Sequence, residues 1–563
     1  SCARGFSCCN ITTCHPCEGS AIRFDCNRPL HMTPAPPASD GSFSLFVRDP
    51  SAERPEYPVK FALFGALGDL ALSRINHQVH EYTSTVYPKS LREVYFCGRV
   101  ADYDMPGLIG ELYSRCKSYH QLESYFTRAF LDSFEQRGDT GGPDSKDLER
   151  KISNAVTNSE TEILTSLGQF LVANYCTTGT AEEFDSVFTN SQIIDSDWIF
   201  YLALPPAAYA DTCRRIRNAF RNATPHSEAS KTRKLILLEK PFQTTLEEAT
   251  DLALDLETME EESLGLQFYS VDHYAAKWTL SRLPGMVHEI QTFRDIVSNT
   301  DRVVIDLSEK KSIPMFRTGY MASTGLFNDM MPHALVALQF LFAGKSVMVV
   351  RDRCECLAVG SEENFMAAAD KIQTDTGATS LNKETYFSIK IELRVSEPDG
   401  SCPRTVTVYI RSAKALMKEN KKVHIIPRCD EDDLPFFTID IAEEDFPEPT
   451  TEDGYSGSIT DGDVADGEQR GYSKILFDAI SFLRGNKFGD DCSLSPPLEF
   501  LNPKQSVEVI RNMVDIKNCL QSNHARNHAG VDPFQNPLPY PAGVSWLDEE
   551  KESPILSPLT PGK

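Results

Sequence analysis

Long hydrophobic runs, clusters of basic residues and internal repeats are all missing from this chain of 563 residues. No apolar run approaches the roughly 18 to 20 residues that a membrane-spanning helix needs, so we expect no membrane partner. The formal net charge of −25 repels polyphosphates, and without a local basic cluster we expect no nucleic-acid partner. A small anionic substrate stays compatible with this charge, because a few lysines or arginines in a cleft can override it.

A regular metal-binding pattern of cysteines is also missing. Six of the sixteen cysteines lie within residues 1–26, where "CNITTCHPC" sets thiols and His15 at short spacing. They do not form the repeated ligand pairs of a zinc knuckle, although a metal cluster there is the alternative interpretation. The other cysteines are scattered, which is typical of reduced thiols in a cytosolic enzyme. We therefore predict no metal site and a cytoplasmic location.

The chain is too long for one hydrophobic core, so two domains with tails are expected. Residues 1–58 combine the cysteine-rich segment with a stretch rich in proline and serine, and we predict a disordered tail there. We place a first domain at residues 59–275, a second domain at 276–545 and a C-terminal tail at 546–563.

Buried strands and helices alternate in the first domain. Apolar runs at residues 59–64, 92–99, 196–206 and 234–242 predict parallel strands, and the segments between them, including most of 105–180, predict helices. This alternation is typical of a Rossmann-like, doubly wound parallel sheet.

Longer strands with alternating polarity follow residue 275 and predict a mainly antiparallel sheet. Helices are predicted at 329–343 and 470–484, and the acidic, glycine-rich segment 443–469 predicts a solvated loop. The predicted fold class is therefore α/β, with a Rossmann-like domain followed by a larger α+β domain.

"FALFGALGDL" (residues 61–70) joins the first strand to a helix through a glycine turn. The glycines allow backbone N–H groups to approach a pyrophosphate, and the start of the helix adds positive potential. An ordinary tight turn is the alternative. Arg99 ends the next strand, where an arginine can bind the 2′-phosphate of NADP and an acidic residue would bind a free 2′-hydroxyl. A surface arginine is the alternative there.

Two further segments carry donor side chains, and the first of them ends a predicted strand. "EKPF" (239–242) places Lys240 at the carboxyl edge of a strand, where open α/β sheets bind ligands. "VDHYAAK" (271–277) supplies a carboxylate, an imidazole, a phenol and an ammonium group, and a helix starting there could hold a phosphate monoester. A surface lysine and a capped helix start with solvated charges are the alternatives.

Taken together and in this order, "FGALGDLALSR", "YLALPP", "EKPF", "VDHYAAK" and "GYMASTGLFNDMM" resemble the glucose-6-phosphate dehydrogenase family. The family reads approximately FGASGDLAKKK, YLALPP, EKPFG, RIDHYLGK and GYFDEFGIIRDVMQNH, and its GKAL segment is similar to "SAKAL" here. The resemblance covers about residues 59–545. "YLALPP" and the DHYxxK pattern together are specific, whereas EKP also occurs in other sugar oxidoreductases.

The resemblance implies two sets of site residues and a catalytic pair. The implied cofactor-binding set is Gly65, Ala66, Gly68, Asp69, Leu70, Arg99 and Lys240. The implied substrate-binding set is Lys240, His273, Tyr274, Lys277, Glu309, Asp329 and Lys414. Asp272 corresponds to the carboxylate that orients the catalytic histidine, and His333 is the candidate for that histidine.

The catalytic histidine itself is displaced in the alignment. Without gaps, Asp329 meets the family aspartate, His333 meets its asparagine and Ala334 meets its histidine. One position on a helix is a rotation of about 100°. Three interpretations stay open: a helix that starts at Pro332 absorbs the shift and His333 is the base, the site lacks its base, or His333 is structural. Further departures are Leu67, Arg74, Gln243, Ser270, Glu419 and Asn420.

The resemblance implies NADP-dependent oxidation of glucose 6-phosphate to 6-phosphogluconolactone, the first step of the oxidative pentose phosphate pathway, by a homodimer or homotetramer. Hydride would pass from C1 of the sugar to NADP. The alternative is a catalytically impaired homologue that acts as a structural or regulatory subunit, because Ala334 occupies the usual position of the base. A third interpretation, another EKP-type sugar oxidoreductase, predicts activity on a non-phosphorylated sugar.

Overall fold

In the computed structural model, the described residues are 59–68, 70–81, 91–99, 167, 170–188, 196–223, 232–262, 264–281, 283–310, 312–313, 318–343, 345–376, 381, 383–397, 402–416, 420–428, 437–441, 471–485, 497, 500–527, 534 and 537–542. The predictions for the two tails, for the loop at 443–469 and for Asp69 lie outside them. None of the helices within these ranges has both the length and the apolar character needed to cross a bilayer.

Seven strands form the first sheet, in the order β13-β6-β5-β4-β1-β2-β3. They are β1 (Val59–Phe64), β2 (Leu91–Gly98), β3 (Tyr175–Thr177), β4 (Trp198–Leu202), β5 (Lys234–Glu239), β6 (Leu266–Val271) and β13 (Phe500–Leu501). Neighbouring strands are parallel except β13, which pairs antiparallel with β6. The strands β1, β4 and β5 are buried throughout, because their alternate side chains enter hydrophobic clusters on opposite faces.

Helices cover both faces of this sheet. One face packs against α2 (Ala181–Phe188), α3 (Tyr209–Ala223) and α4 (Leu246–Glu261). The opposite face packs against α1 (Asn76–Glu81), the π-helical turn Ala71–Ile75 that precedes it, and α11 (Gly471–Gly485). The remaining helices are α5 (Trp278–Ser281), α6 (Leu283–Glu289), α7 (Gln291–Ser298), α8 (Thr318–Thr324), α9 (Leu326–Leu341), α10 (Glu363–Thr376) and α12 (Pro503–Asn527).

The second sheet also has seven strands, in the order β12-β11-β7-β10-β9-β8-β14. They are β7 (Thr300–Ser308), β8 (Ser346–Glu362), β9 (Tyr386–Ser396), β10 (Arg404–Ala413), β11 (Asn420–Pro427), β12 (Phe437–Asp440) and β14 (Leu538–Tyr540). Pairing is antiparallel except between β7 and β10 and between β8 and β14. The alternation of buried and half-exposed residues along β10 fits a sheet that packs on one face.

The predicted α/β fold class, with a Rossmann-like sheet followed by a mainly antiparallel one, is confirmed. Residues 175–177 form β3, a strand that was not predicted, and most of the segment 105–180 that was predicted to be mainly helical lies outside the described residues. A three-residue edge strand is too short to show strand periodicity, so the sequence pattern could not reveal it.

The C-terminal part of the chain returns to the first sheet. α11 packs beneath it and β13 extends its edge, although both follow six of the second sheet's seven strands in sequence. α12 then contacts β6 and α4 of the first half and β8 of the second sheet. The division at residues 275 and 276 stays a prediction, and the later elements α11 and β13 pack with the earlier sheet.

Candidate active site

Because parallel strands run in one direction, the residues that follow them gather at one edge of the first sheet. Gly65 follows β1, Arg99 follows β2, Lys240 follows β5 and Asp272 follows β6. In the order of the strands these positions run from Arg99, through Gly65, to Lys240 and then Asp272. The predicted cofactor turn and the predicted catalytic carboxylate therefore share one edge.

The turn after β1 requires glycine at two positions. Gly65 has φ +81°, and an added Cβ would lie 2.3 Å from the carbonyl oxygen of Ala203. A Cβ on Gly68 would lie 2.9 Å from the carbonyl oxygen of Gly65, which accepts the Gly68 N–H at 2.7 Å. Buried Ala66 accepts a hydrogen bond from Asn76 Nδ2 at 2.9 Å. This compact turn fits the close approach of a pyrophosphate, and Asn76 is a supporting residue that the sequence analysis missed.

Arg99 is exposed at the carboxyl end of β2. The preceding residue, Gly98, accepts a hydrogen bond from Thr178 N–H at 2.9 Å, which holds this end of β2 to the segment after β3. On the other side of the glycine turn, Leu70 packs against the hydrophobic cluster on the α11 face of the sheet. An exposed guanidinium on the strand next to β1 fits an anionic group on a bound dinucleotide.

His333 and Asp272 form a buried pair between α9 and the end of β6. His333 is 1% exposed, and its Nδ1 lies 2.7 and 2.8 Å from the two carboxylate oxygens of Asp272. The same carboxylate accepts the backbone N–H groups of Tyr274 and Ala275 at 2.8 and 3.1 Å. His333 Nε2 is buried and has no hydrogen-bond partner among the described residues. In a histidine that acts as a general base, a carboxylate holds one ring nitrogen and the other nitrogen accepts the proton. His333 has this arrangement.

The charges around this pair favour a neutral imidazole beside an ionised carboxylate. Burial lowers the pKa of His333, Asp272 opposes that effect, and the Lys240 ammonium lowers the pKa again. Burial by itself raises the pKa of Asp272, but the attraction of His333 and Lys240 brings it below its usual value. The proton of the neutral ring then lies on Nδ1, which faces the carboxylate, and Nε2 carries the lone pair.

The position of His333 corrects one expectation. The helix α9 begins at Leu326 and not at Pro332, so Pro332 lies inside it. A proline there removes one intrahelical hydrogen bond and bends the backbone, which is a physical way to absorb a one-residue displacement. His333 faces Asp272, whereas Ala334 lies in the hydrophobic core. Of the three interpretations, the geometry favours His333 in the position of the base.

Aromatic rings surround His333. Tyr274 stacks on it with ring centroids 4.0 Å apart, and His273 lies edge-on at 5.0 Å. The other face of the cluster is closed by Tyr472 of α11, whose ring stacks on His273 at 4.9 Å. His273 and Tyr274, predicted to bind phosphate, are therefore direct neighbours of the predicted base.

Lys277 completes the predicted phosphate-binding group. It is buried, with Nζ 4.3 Å from the centre of the Tyr274 ring and 3.3 Å from the carbonyl oxygen of Ile441. Lys421 approaches the same ring at 5.9 Å. Turns occupy residues 273–276 and α5 begins only at Trp278, so the helix start that the sequence analysis considered for this segment lies just after it. The donors converge around the tyrosine ring instead of along one face of a helix.

Two lysine–carboxylate pairs involve the predicted sugar-binding residues; the Lys240–Asp329 pair acts electrostatically on His333, and the carboxylates of the two pairs act on each other. Lys240 Nζ contacts Asp329 Oδ1 at 3.1 Å and the backbone carbonyl of Asp329 at 2.9 Å. Lys414 Nζ contacts Glu309 Oε2 at 2.6 Å. Burial alone would raise the pKa of Glu309, but Lys414 and Lys421 bring it to about 2. Carboxylates held ionised in this way can accept hydrogen bonds from sugar hydroxyls.

Glu239 is a buried carboxylate that the sequence analysis did not single out. Its Oε2 accepts a hydrogen bond from the Tyr201 hydroxyl, and its Oε1 lies 3.7 Å from His273 Nδ1. Burial is the main cause that raises the pKa of Glu239 to about 7, and the nearby Asp272 carboxylate adds to it. The sequence signal that could have identified Glu239 was an acidic residue at the end of a mainly apolar strand.

A metal ion could also use this cluster. The ligand atoms of Asp272, His273 and His333 lie within 4.8 Å of one another. Because His333 and Asp272 are hydrogen-bonded to each other, an ion there would replace that contact.

At two positions where this chain departs from the family pattern, the side chain that is present makes a hydrogen bond with a neighbouring residue. Ser270, at the position of the family arginine, shares a hydrogen bond of 2.7 Å with Ser506 of α12. Gln243, at the position of the family glycine, donates from Nε2 to the carbonyl oxygen of Pro206 at 3.1 Å. Both changes therefore exchange a family feature for a neutral, locally paired side chain.

Comparisons with known proteins point to one family. A profile described as "Glucose-6-phosphate dehydrogenase, NAD binding domain" matches residues 142–281. The glucose-6-phosphate 1-dehydrogenase of Cyberlindnera jadinii is 28% identical over 252 residues, which are 40% of this chain and 47% of that protein. The cytoplasmic glucose-6-phosphate 1-dehydrogenase 6 of Arabidopsis thaliana is 28% identical over 156 residues, 27% of this chain and 29% of that protein. The matched part spans less than half of these relatives.

Solved structures of similar proteins cover more of the chain. A glucose-6-phosphate dehydrogenase in complex with its substrate glucose-6-phosphate superimposes with a TM-score of 0.55 and 15% identity, covering 91% of this chain and 100% of that one. A glucose-6-phosphate 1-dehydrogenase from Mycobacterium avium superimposes with a TM-score of 0.52 and 14% identity. This match covers 87% of this chain and 95% of that one. At these identities the likeness shows the fold, which has the same arrangement of two sheets.

Proposed function

We propose, on the premise that this chain is a divergent member of the glucose-6-phosphate dehydrogenase family, that it oxidises glucose 6-phosphate to 6-phosphogluconolactone with NADP. The observation that carries the proposal is the His333–Asp272 pair, in which Nδ1 is held and Nε2 has no partner among the described residues. A buried imidazole with one orphaned nitrogen costs stability, so a chain that had lost the reaction would have little reason to keep it.

In the proposed mechanism, His333 Nε2 takes the proton of the C1 hydroxyl while Asp272 stabilises the imidazolium that forms. A general base of this kind contributes about 10²- to 10⁴-fold to the rate. Bound NADP supplies C4 of the nicotinamide as the acceptor for the hydride that leaves C1. Because His333 is buried beneath Tyr274 and His273, one of these two rings has to move when the sugar enters.

The remaining site residues have supporting roles in this proposal. Lys240 and Asp329 position the sugar beside the base, and Glu309 with Lys414 binds its hydroxyls. The proposed phosphate-binding residues are His273, Tyr274 and Lys277. The proposed cofactor-binding residues are Gly65, Ala66, Gly68, Asp69, Leu70, Arg99 and Lys240, with Arg99 on the 2′-phosphate.

We extend the proposal to the organisation of the enzyme. The resemblance supports a homodimer or homotetramer and a dinucleotide-binding domain at residues 59–275 followed by a substrate domain at 276–545. Similarity to the cytoplasmic Arabidopsis thaliana enzyme supports a cytoplasmic location.

The test is the rise of NADPH absorbance with glucose 6-phosphate, measured for the wild type and for H333N. We expect kcat of H333N to fall by about 10²- to 10⁴-fold with little change in KM, because a base is lost and no binding group is removed. His288→Ala, on an exposed position of α6, is the matched control and should leave kcat unchanged. A flat wild-type trace with calorimetric binding of both ligands would instead support the impaired homologue, and turnover of glucose alone would support the EKP-type oxidoreductase.

A further inference from the structure

Two cysteines face each other across neighbouring strands beside the glycine turn. Cys97 of β2 and Cys176 of β3 are in register, and their sulfur atoms are 3.6 Å apart. Both are free thiols; Cys97 is fully buried, whereas Cys176 is half-exposed. Paired residues on neighbouring strands have Cα atoms about 5 Å apart, within the range that a disulfide spans. A short movement of both residues toward each other therefore brings the sulfurs to bonding distance.

The two thiols differ in exposure and in pKa. The hydrogen bond with Cys97 lowers the pKa of Cys176, against the opposing effect of partial burial, whereas burial raises the pKa of Cys97 well above its ordinary value. A partly exposed cysteine with a stabilised thiolate is the form that oxidants attack, and an adjacent thiol is what captures the product. Cys213 is fully buried within the hydrophobic cluster, and burial raises its pKa as well, so it offers no such pair.

We propose that Cys176 is a peroxide-reactive thiol and that Cys97 resolves its oxidised form into a Cys97–Cys176 disulfide. The Cys176 thiolate attacks hydrogen peroxide, forming an S–O bond and breaking the O–O bond, and hydroxide leaves and is protonated to water. The Cys97 thiol then attacks the sulfenic sulfur, forming the S–S bond, and a second water leaves with the thiol proton. The two thiols lose two electrons and the peroxide gains them.

The disulfide would act on the cofactor turn. The backbone carbonyl of Cys97 accepts the N–H groups of Gly65 and Ala66 at 3.0 and 3.2 Å, and Arg99 follows two residues later. Pulling Cys97 toward β3 shifts this carbonyl and the strand end that carries Arg99. The effect on dinucleotide binding rests on the proposed function, whereas the formation of the disulfide does not.

Peptide mapping by mass spectrometry tests the modification. After brief treatment of the full chain with hydrogen peroxide, we expect a cross-linked peptide that joins Cys97 and Cys176 and that dithiothreitol releases. In C97A the sulfenic acid of Cys176 should persist and be trapped by dimedone, and in C176S residue Cys97 should stay reduced. Cys402→Ser, which removes an exposed thiol, is the matched control and should still form the cross-link. Oxidation of other cysteines while this pair stays reduced would overturn the proposal, and so would a wild-type Cys176 that ends as sulfinic acid without a cross-link.

Titration of NADP against the oxidised and reduced wild type tests the link to the turn. We expect weaker binding by the oxidised protein and no such change in peroxide-treated C176S. A cross-link that leaves NADP affinity unchanged would overturn the link to the cofactor turn and leave the modification site standing. Absence of NADP binding in the reduced protein would contradict the proposed function alone.

Discussion

At the scale of single residues, the tautomer of His333 depends on the way Asp272 is anchored. One carboxylate oxygen already accepts the N–H groups of Tyr274 and Ala275. In D272N the amide oxygen would keep those two bonds, and the amide NH₂ would replace the other carboxylate oxygen at His333 Nδ1. This change favours the tautomer with the proton on Nε2 and removes the negative charge that stabilises the imidazolium. We expect kcat to fall by about 10²- to 10⁴-fold, as it does for loss of the base itself.

The measurement is kcat against pH for the wild type and for D272N, with Asp211→Asn as control. Asp211 is an exposed carboxylate on α3 that pairs with Arg215, so its amide variant should behave as the wild type. A D272N enzyme that keeps wild-type kcat at any pH would contradict the assigned tautomer.

Arg99 is the residue on which the preference for NADP over NAD is expected to depend. Charge-assisted hydrogen bonds contribute about 1.5 to 3 kcal/mol, so R99A should weaken NADP binding by roughly 10- to 100-fold and leave NAD binding nearly unchanged. The check is calorimetric titration of both dinucleotides. Arg214→Ala removes an exposed guanidinium that pairs with Asp255 and is the matched control. Equal losses for both dinucleotides would place Arg99 away from the 2′-phosphate.

The sequence was sufficient to place Lys240 at the carboxyl edge of a strand, because it directly follows an apolar run, whereas Asp272 was singled out only through the family resemblance and the strand before it was not predicted. It could not decide between His333 and Ala334. That choice depends on the helical rotation around Pro332, which is set by packing over the whole of α9. Glu239 was missed because its importance comes from burial by neighbours that are distant in sequence.

At the scale of elements, the glycine turn after β1 should tolerate no side chain at Gly65. A Cβ there would collide with the Ala203 carbonyl and would have to adopt a left-handed φ. We expect G65A to lower the free energy of unfolding by at least about 1 to 2 kcal/mol and to abolish dinucleotide binding. Gly285→Ala is the matched control, since its Cβ would meet nothing within 4 Å on α6 and should be neutral or slightly stabilising. Urea unfolding and NADP titration check both variants, and tight NADP binding by G65A would contradict the assignment of the turn.

The helix α9 presents position 333, and not position 334, to Asp272. The double variant H333A/A334H moves the imidazole by one residue, to a position that points into the hydrophobic core. We therefore expect it to stay as inactive as H333A, provided that circular dichroism shows a folded protein. Recovery of more than about tenfold in kcat over H333A would mean that the alignment without gaps describes the helix correctly.

Elements with a clear hydrophobic pattern could be predicted from the sequence, and short elements could not. The buried strands β1, β4 and β5 are mainly apolar, and they were predicted within a few residues of their ends. The turns at residues 273–276 lie where a helix start was considered, because the polar spacing suits both. Tertiary contacts of Tyr274 and Lys277, which no local pattern encodes, decide for turns.

At the scale of the whole molecule, Glu239 links stability to pH. Its pKa is raised to about 7 in the folded chain by burial, so the fold favours the protonated form. Its contribution to stability is complete below about pH 4.5 and is lost as the pH rises through 7. A rise of about 2.5 pKa units corresponds to roughly 3 kcal/mol. E239Q, which keeps an acceptor for Tyr201, should therefore lose less stability between pH 5 and pH 8 than the wild type.

Urea unfolding at the two pH values measures this difference. Glu257→Gln is the control, because Glu257 is only partly buried and pairs with the exposed Lys504. Parallel pH profiles for the wild type and E239Q would show that Glu239 titrates near its ordinary value.

The path of the chain between the two sheets has a practical consequence for dissecting the protein. The polypeptide leaves the first sheet after β6, builds most of the second, and comes back with α11 and β13. The 25 residues of α12, about 37 Å long, then brace both halves. A recombinant fragment that stops at residue 275 would lack β13 and α11, so it would expose the unpaired edge of β6 and the hydrophobic sheet face that α11 covers. We expect this fragment to aggregate. Anyone wishing to study the nucleotide half alone would have to graft residues 471–527 onto it through an artificial linker.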